Sequence, residues 1–138
     1  MMSDKPIILY VEDDELSRQV MQMLVVRGMG NPNLTIWSSS ENFQERLSQL
    51  TQKPTVILLD IHVPPYNGFQ MYEMLRKHPD SHFHSVPVIA LTASVMNDEV
   101  AQLKSLGLDG VIAKPVSQKA FPQLLQRVIN GEKVWHIR

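Results

Sequence analysis

The segment TVILLDIHVPPYNGF, residues 55–69, is the most informative part of the chain for its architecture. Its aliphatic part, residues 56–59, has none of the polar alternation of a half-exposed strand. A continuous apolar run of this length is typical of a strand covered on both faces, as in a parallel sheet between two layers of helices. Asp60 ends the run, and the loop-forming residues at 64–68 separate it from the next helical pattern. Taken alone, Asp60 predicts only a solvated strand end, so its significance depends on the rest of the chain.

The rest of the chain alternates short apolar runs with helical patterns. Further strands are predicted at 7–11, 34–37, 86–91 and 110–113, and helices at about 16–27, 43–50, 69–77, 95–106 and 121–128. Asp14 is the expected N-cap of the first helix, and Ser39 or Ser40 of the second. Five strand–helix units in succession predict a single α/β domain, with a parallel sheet and helices on both faces.

Composition restricts the function classes. The chain has 138 residues, 43% of them hydrophobic and 20% charged, which suits one globular domain. A net charge of −1 supplies no field for nucleic acid or an anionic membrane surface. The absence of cysteine excludes disulfides, thiolate catalysis and Cys-ligated metals. No run approaches 18 apolar residues and no apolar signal region is present, so a cytoplasmic protein is expected.

Polar residues follow four of the predicted strands. Glu12 and Asp13 end the first, Asp60 the third, Thr92 the fourth and Lys114 the fifth. In a parallel sheet these ends lie along one edge, where such folds bind ligands. Three clustered carboxylates repel by about 1 kcal/mol per pair in water and about 4 kcal/mol at an effective dielectric of 20, so a cation must offset them. An all-oxygen set indicates a hard cation, Mg²⁺, with Mn²⁺ as the alternative.

This set of residue types suits phosphoryl transfer. A carboxylate such as Asp60, held beside a metal ion and a lysine, can attack phosphorus to give an acyl phosphate. Lys114 would neutralise charge on the phosphoryl oxygens, and the Thr92 hydroxyl would donate to another of them. Each residue taken singly predicts only an exposed strand end. Their occurrence together at one edge favours a site.

The chain resembles the receiver domain of two-component response regulators, of the single-domain, chemotaxis-regulator-like kind, from residue 6 to about residue 130. The matching stretches are ILYVEDD (8–14), LLDIHVP (58–64) with Gly68, PVIALTA (87–93) and KP (114–115). The resemblance implies a flavodoxin-like, doubly wound five-stranded sheet in the order 2-1-3-4-5 with five helices. It also implies a cis peptide at Lys114–Pro115. Residues 1–131 are the expected receiver domain. Residues 132–138 are expected to form a short, disordered C-terminal tail, with docking of Trp135 on a partner or on the domain itself as the alternative.

The same resemblance implies a function and a role for each site residue. Asp60 would accept a phosphoryl group from a phosphohistidine on a sensor histidine kinase or a histidine phosphotransfer protein. Glu12, Asp13, Asp60 and the main-chain carbonyl of His62 would hold Mg²⁺. Thr92 and Lys114 would contact the phosphoryl oxygens. The domain would act on no separate substrate, catalysing only its own phosphoryl transfer and dephosphorylation.

The resemblance also implies how the signal leaves the domain. A downstream protein would bind the face made by the fourth helix, the fifth strand and the fifth helix, a homodimer through that face being left open. No direct nucleic-acid or membrane partner is expected. The family's usual aromatic residue three positions before the lysine is replaced by Val111, so the fourth helix and its preceding loop are the expected moving part. His62 could in addition tune the lifetime of the acyl phosphate, with a plain exposed histidine as the alternative.

Three alternatives have distinguishing features. A receiver-like module that binds without phosphorylation would not need the acids, Asp60, Thr92 and Lys114 together. An aspartyl-phosphate phosphohydrolase needs a second aspartate two residues after the nucleophile, where this chain has His62. A flavin- or nucleotide-binding domain needs a glycine-rich loop after the first strand, which here is acidic. A metal site among the histidines at 78, 82 and 84 is disfavoured, because they lie in a loop without cysteine.

Overall fold

The computed structural model describes residues 5–93 and 97–137. In that part of the chain six parallel strands form one sheet in the order β2-β1-β3-β4-β5-β6. The strands are β1 (Ile8–Val11), β2 (Leu34–Trp37), β3 (Val56–Asp60), β4 (Val88–Thr92), β5 (Gly110–Ala113) and β6 (Val134–His136). The predicted order of five strands is confirmed, and β6 is an addition at the β5 edge.

The five predicted helices are all found, together with one short extra helix. They are α1 (Glu15–Gln22), which continues as a π-helical segment (Met23–Gly28), α2 (Phe43–Ser48), α3 (Gly68–Arg76), the additional α4 (His82–Ser85), α5 (Asn97–Leu106) and α6 (Phe121–Ile129). The predicted start of the fourth helix, at residue 95, lies outside the described residues. None of the helices within residues 5–93 and 97–137 has the length and apolar character needed to cross a membrane.

The core has two halves, one on each face of the sheet. Along β3, Ile57 and Leu59 belong to the half beneath α2, α3 and α5, while Val56 and Leu58 belong to the half beneath α1 and α6. All four side chains are fully buried. Alternate residues of a strand face opposite ways, so a strand covered on both sides must be apolar throughout. This accounts for the unbroken aliphatic run before Asp60.

The C-terminal segment is ordered up to residue 137, so the expected disorder is wrong there, and the alternative, docking of Trp135 on the domain itself, is confirmed. Val134 is buried opposite Gly110 of β5, and Trp135 lies opposite Val111. A Cβ on Gly110 would come within 3.1 Å of the Val134 carbonyl oxygen, so glycine permits this close approach. The Lys104 ammonium of α5 lies 5.1 Å from the Trp135 ring centroid. The segment therefore covers the edge of β5; the domain boundary at residue 131 stays a prediction.

Two of the predicted helix caps have different outcomes. The Asp14 side chain accepts a hydrogen bond from the Ser17 amide at 2.8 Å, so this N-cap is confirmed. The cap from Ser39 or Ser40 is wrong, because α2 starts after Asn42 in a left-handed conformation with no side-chain cap. Ser40 is buried, and its hydroxyl bonds both the amide and the carbonyl of Tyr66 at 2.7 Å. These two hydrogen bonds connect the loop after β2 to the loop after β3.

The histidines at 78, 82 and 84 are structural. Buried His78 accepts a hydrogen bond from the Asp80 amide at 2.9 Å, and its other ring nitrogen lies 3.1 Å from the Ser48 hydroxyl. His82 donates to the Pro54 carbonyl at 2.7 Å, and His84 donates to the His78 carbonyl at 2.6 Å. Main-chain and hydroxyl groups contact four of the six ring nitrogens of these histidines, both of His78 and Nε2 of His82 and His84.

Candidate functional site

The sheet register brings the predicted site residues to one edge. Val11 of β1 pairs with Leu59, Asp60 pairs with Leu91, and Thr92 pairs with Ala113. In this register Glu12 follows level with Asp60, whereas Thr92 lies one residue and Lys114 two residues further along. Glu12, Asp60, Thr92 and Lys114 all lie at this carboxyl edge, beyond which parallel sheets bind ligands.

Three carboxylates gather there. Glu12, Asp13 and Asp60 each offer an oxygen atom, and these atoms all lie within 4.8 Å of one another. It is the one such group of potential metal ligands among the residues that the structure describes. Glu12 and Asp60 are buried, whereas Asp13 is exposed. Hard oxygen donors reaching a solvent-open side fit a cation that keeps some of its water, so the cluster can hold a metal ion.

Lys114 is the positive group at the cluster. Its Nζ donates to Glu12 Oε1 at 2.5 Å and lies 3.5 Å from Asp60 Oδ1. The ammonium is mostly buried, so water screens these pairs only in part. The Lys114–Pro115 peptide is cis, as the family resemblance implied, and Pro64–Pro65 is a second cis peptide.

The pKa directions follow from burial and from this shared cation. Burial and the neighbouring Glu12 carboxylate raise the pKa of Asp60 to about 6. Burial also disfavours the charge of Glu12, but hydrogen bonds with Asp60, Lys114 and Tyr10 hold its pKa below the ordinary value. Although burial opposes the Lys114 charge, contacts with Glu12 and Asp60 raise its pKa, so it stays protonated. In the absence of metal, Asp60 thus holds a proton more readily than Glu12 does.

Several contacts to Glu12 were not predicted. The buried Tyr10 hydroxyl donates to Glu12 Oε1 at 2.8 Å, and the Asp14 amide donates to Oε2 at 3.1 Å. The Arg18 guanidinium donates to the Glu12 carbonyl oxygen at 3.1 Å. A signal for Tyr10 exists in the sequence, because residues two apart on a strand point to the same face. The arrangement fixes the Glu12 carboxylate before any ligand binds.

Thr92 is engaged by a residue that sequence reasoning missed. Its buried hydroxyl donates to Glu99 Oε1 at 3.0 Å. The second oxygen of Glu99 lies 3.4 Å from His62 Nε2, and the His62 side chain is mostly exposed. Glu99 belongs to the first turn of α5. The only signal for it in the sequence is an acid seven residues after Thr92, which the helical pattern alone explains equally well.

Val111 lies on the strand at the centre of the predicted partner face. Val111 is fully buried in β5 and lies opposite Trp135 of β6. An aromatic side chain is therefore present beside Val111, on the neighbouring strand. The fourth helix, fifth strand and fifth helix of the sequence prediction correspond to α5, β5 and α6. The predicted partner face made by these elements therefore also includes β6.

The fold and the site together define a class: a receiver-type α/β signalling domain with an acidic cluster at the carboxyl edge of its sheet. The family model for the response regulator receiver domain matches residues 8–126. The chain therefore belongs to the response regulator receiver domain family.

Relatives cover the chain almost completely. The sensor histidine kinase AruS of Pseudomonas aeruginosa is 30% identical over 122 residues, which are 88% of this chain but only 12% of AruS. The polar-differentiation response regulator DivK of Brucella anthropi is 27% identical over 124 residues, covering 89% of this chain and 95% of DivK. The receiver domain of sensor histidine kinase PA1611 from Pseudomonas aeruginosa, solved with a magnesium ion coordinated in its active-site cleft, is 25% identical with a TM-score of 0.75, covering 90% and 97% of the two chains.

Proposed function

We propose that this domain is a phosphoacceptor: Asp60 takes a phosphoryl group from a phosphohistidine on a sensor histidine kinase or a phosphotransfer protein, and phosphorylation switches a protein-binding surface. The observation that carries the proposal is the group of Glu12, Asp13 and Asp60 with Lys114 between two of its members. Without a cation such a group costs stability, because its carboxylates repel one another. A bound cation and an incoming phosphoryl group would make use of it.

The proposed metal is Mg²⁺, with Mn²⁺ as the alternative. Glu12, Asp13 and Asp60 would hold it through carboxylate oxygens, and the main-chain carbonyl of His62 would be a further ligand. The donor set supports this choice, since all side-chain donors are oxygen atoms. The bound ion would neutralise negative charge on the acids and on the phosphoryl oxygens.

Asp60 is the proposed nucleophile. One of its carboxylate oxygens forms a bond to phosphorus while the bond from phosphorus to the donor imidazole nitrogen breaks, its electron pair returning to that nitrogen. The attacking carboxyl must be ionised, and its pKa of about 6 leaves it so at neutral pH. Lys114 carries three N–H donors, of which Glu12 and Asp60 engage two. The third is available for a phosphoryl oxygen, and Thr92 is the proposed second donor.

The surface beside the acids supports a protein donor. Leu16, Val20 and Met23 on α1 and its π-helical continuation are exposed, at helical spacings of four and three residues. A groove next to them is lined by α1 side chains and by residues 114–116. Exposed apolar side chains beside a charged site are typical of protein-binding surfaces. A phosphohistidine carried on a helix that docks here would lie close to Asp60.

The proposed output surface is the α5, β5 and α6 face, which in this chain also includes β6. A downstream protein would bind there, and self-association through the same face is the other arrangement to test. The alternative of a domain that binds without being phosphorylated uses the same surfaces but needs no chemistry at Asp60. Labelling therefore separates the two functions.

Acetyl phosphate with Mg²⁺, followed by intact mass measurement, tests the proposal. We expect the wild-type protein to gain one phosphoryl group, and the gain to be lost in Asp60→Asn and on chelation of the metal. Asp80→Asn is the matched control, because Asp80 lies outside the site and pairs with Lys53; it should be labelled like wild type. Unlabelled wild-type protein, or labelling that survives Asp60→Asn, would contradict the proposal.

A further inference from the structure

Glu99 is held between two residues of the candidate site. One carboxylate oxygen accepts the Thr92 hydroxyl at 3.0 Å, and the other lies 3.4 Å from the His62 ring. The Glu99 side chain is largely buried, at 17% exposure. Its neighbour Asp98 in the same helical turn is exposed. Glu99 is therefore directed into the site, whereas Asp98 is an ordinary first-turn acid of a helix.

The Thr92 hydroxyl has one hydrogen atom to donate. While that hydrogen lies on Glu99 Oε1, it cannot also lie on a phosphoryl oxygen bound at Asp60. Thr92 is fully buried at the end of β4, and β4 is paired with β3, the strand that carries Asp60. A phosphoryl group on Asp60 and the Glu99 carboxylate thus compete for the same donor.

Charge adds to this competition. A phosphoryl group introduces between one and a half and two negative charges at neutral pH. The Glu99 carboxylate approaches the site from α5 through Thr92 and His62, and His62 is two residues from Asp60. Like charges in a partly buried setting repel more strongly than they do in water. The phosphorylated state therefore favours a withdrawn Glu99 side chain.

We propose that Glu99 is a positioning residue which holds the Thr92 hydroxyl away from the phosphoryl position and so opposes phosphorylation of Asp60. The inference rests on the proposed function, since it concerns the same phosphoryl site. Release of Glu99 from Thr92 is the event that connects chemistry at Asp60 to the first turn of α5. The negative charge of Glu99 thereby sets how strongly the domain retains a phosphoryl group.

The test is the affinity for beryllofluoride, a phosphoryl mimic, in the presence of saturating Mg²⁺, measured by titration calorimetry. Glu99→Ala removes the carboxylate that accepts the Thr92 hydrogen, and with it a repelling charge, so the Kd should fall by about tenfold, as a hydrogen bond to a charged acceptor implies. Asp98→Ala removes an equal charge from the same helical turn without touching Thr92. Its Kd should stay within about twofold of wild type.

Two further variants make the result specific. In a Thr92→Ala background, Glu99→Ala should lose most of its effect, because no hydroxyl remains to be released. Glu99→Gln keeps the size of the side chain and an acceptor oxygen but removes the charge, so its Kd should lie between those of wild type and Glu99→Ala. Thermal unfolding of every variant separates these changes from loss of folding.

The outcomes distinguish the two proposals. Wild-type protein that neither binds beryllofluoride nor accepts a phosphoryl group would contradict the proposed function itself. Wild-type protein that binds the mimic, while both Glu99 variants bind it as wild type does, would overturn the role of Glu99 and leave the proposed function standing. An equal gain in Asp98→Ala and Glu99→Ala would also overturn it, since bulk charge alone would then explain the change.

Discussion

Asp60 and Glu12 are two buried carboxylates that share one ammonium group. Lys114 lies closer to Glu12 than to Asp60, and Tyr10 donates to Glu12 as well. Glu12 is therefore the carboxylate that the fold stabilises as an anion, and Asp60 is the one whose ionisation the fold opposes. Such divergent environments are typical of paired acids that have different roles.

This difference predicts an unusual dependence of stability on pH without metal. The pKa of folded Asp60 is about 6, above its ordinary value of 3.8, so this group contributes stability at low pH that is lost as pH rises through about 4 to 6. Asp60→Asn lacks the titration. The free energy of unfolding of Asp60→Asn relative to wild type should therefore rise across that window, by about 1–3 kcal/mol allowing for screening.

Urea denaturation in EDTA at several pH values measures this difference. Asp80→Asn serves as a control of opposite sign. Hydrogen bonds from the His82 amide and from Lys53 lower the pKa of Asp80, so its contribution is present above the unfolded pKa and lost as pH falls. A difference between Asp60→Asn and wild type that does not vary from pH 4 to pH 7 would show that Asp60 is not desolvated in solution.

Asp13 provides a separate test of the metal site. Wild-type protein at a Mg²⁺ concentration of 100 times Kd should gain about 2.7 kcal/mol of stability, a rise in Tm of roughly 8 °C for a domain of this size. Asp13→Asn removes one of the three acids, so it should melt slightly higher than wild type without metal and lose most of the Mg²⁺ response. Differential scanning calorimetry measures both effects.

Asp14→Asn is the matched control for Asp13→Asn. It removes the adjacent negative charge but keeps a side chain that can cap α1. Its Mg²⁺ response should resemble that of wild type. An equal loss of response in both variants would mean that general negative charge, rather than a defined set of ligands, attracts the ion.

Site residues that end strands can be predicted from the sequence. Site residues that enter from a neighbouring helix cannot. Glu12, Asp60, Thr92 and Lys114 follow apolar runs, so their common edge follows from parallel pairing alone. Glu99 enters from a helix, and its direction depends on how α5 lies against β4. Nothing in a helical pattern fixes that orientation, so no sequence argument could distinguish Glu99 from Asp98.

Among the strands and helices, β6 is the strand that the sequence did not predict. Its three residues, Val134–His136, are too few to show a periodic pattern. Three interactions stabilise it: pairing with the edge of β5, burial of Val134, and the contact between Trp135 and Lys104. These contacts join residues that are far apart in the sequence, so the local strand propensity of residues 134–136 does not predict them. The one-turn helix α4 escaped prediction for the same reason of length.

Packing of β6 predicts a measurable stability. Val134→Ala removes buried methyl groups that contact the core, so we expect a loss of about 2 kcal/mol in the free energy of unfolding by urea. Glu132→Ala, two residues earlier, breaks only an exposed ion pair with Arg127 and should change stability by less than about 1 kcal/mol. Equal stability of the two variants would mean that β6 is not docked in solution.

Across the domain, the local preferences of most segments favour the same structure that the packing of the sheet requires. The aliphatic runs, the acids that begin α1 and the glycines that follow α5 and α6 all favour the doubly wound sheet. The alternation of strands and helices predicts a parallel sheet but not the order of its strands. That order came from family resemblance, because crossover handedness and strand adjacency leave several orders open.

The contacts also connect the two ends of α5. Glu99 in its first turn bonds Thr92, and Lys104 in its last turn lies over Trp135. A shift of α5 on release of Glu99 would therefore change the surroundings of Trp135. The edge strand and the phosphoryl site are thus joined by a single rigid element.

The positions of the two tryptophans give the protein an intrinsic optical signal with its own reference. Trp135 lies in β6, whereas buried Trp37 lies in β2 at the opposite edge of the sheet, with Arg46 stacked 4.1 Å from its ring. In Trp37→Phe, emission from Trp135 should change in intensity when Mg²⁺ and beryllofluoride bind. In Trp135→Phe, emission from Trp37 should stay constant. Unchanged spectra in both variants would mean that α5 keeps its position, and a change in Trp37 alone would locate the motion at the other side of the molecule.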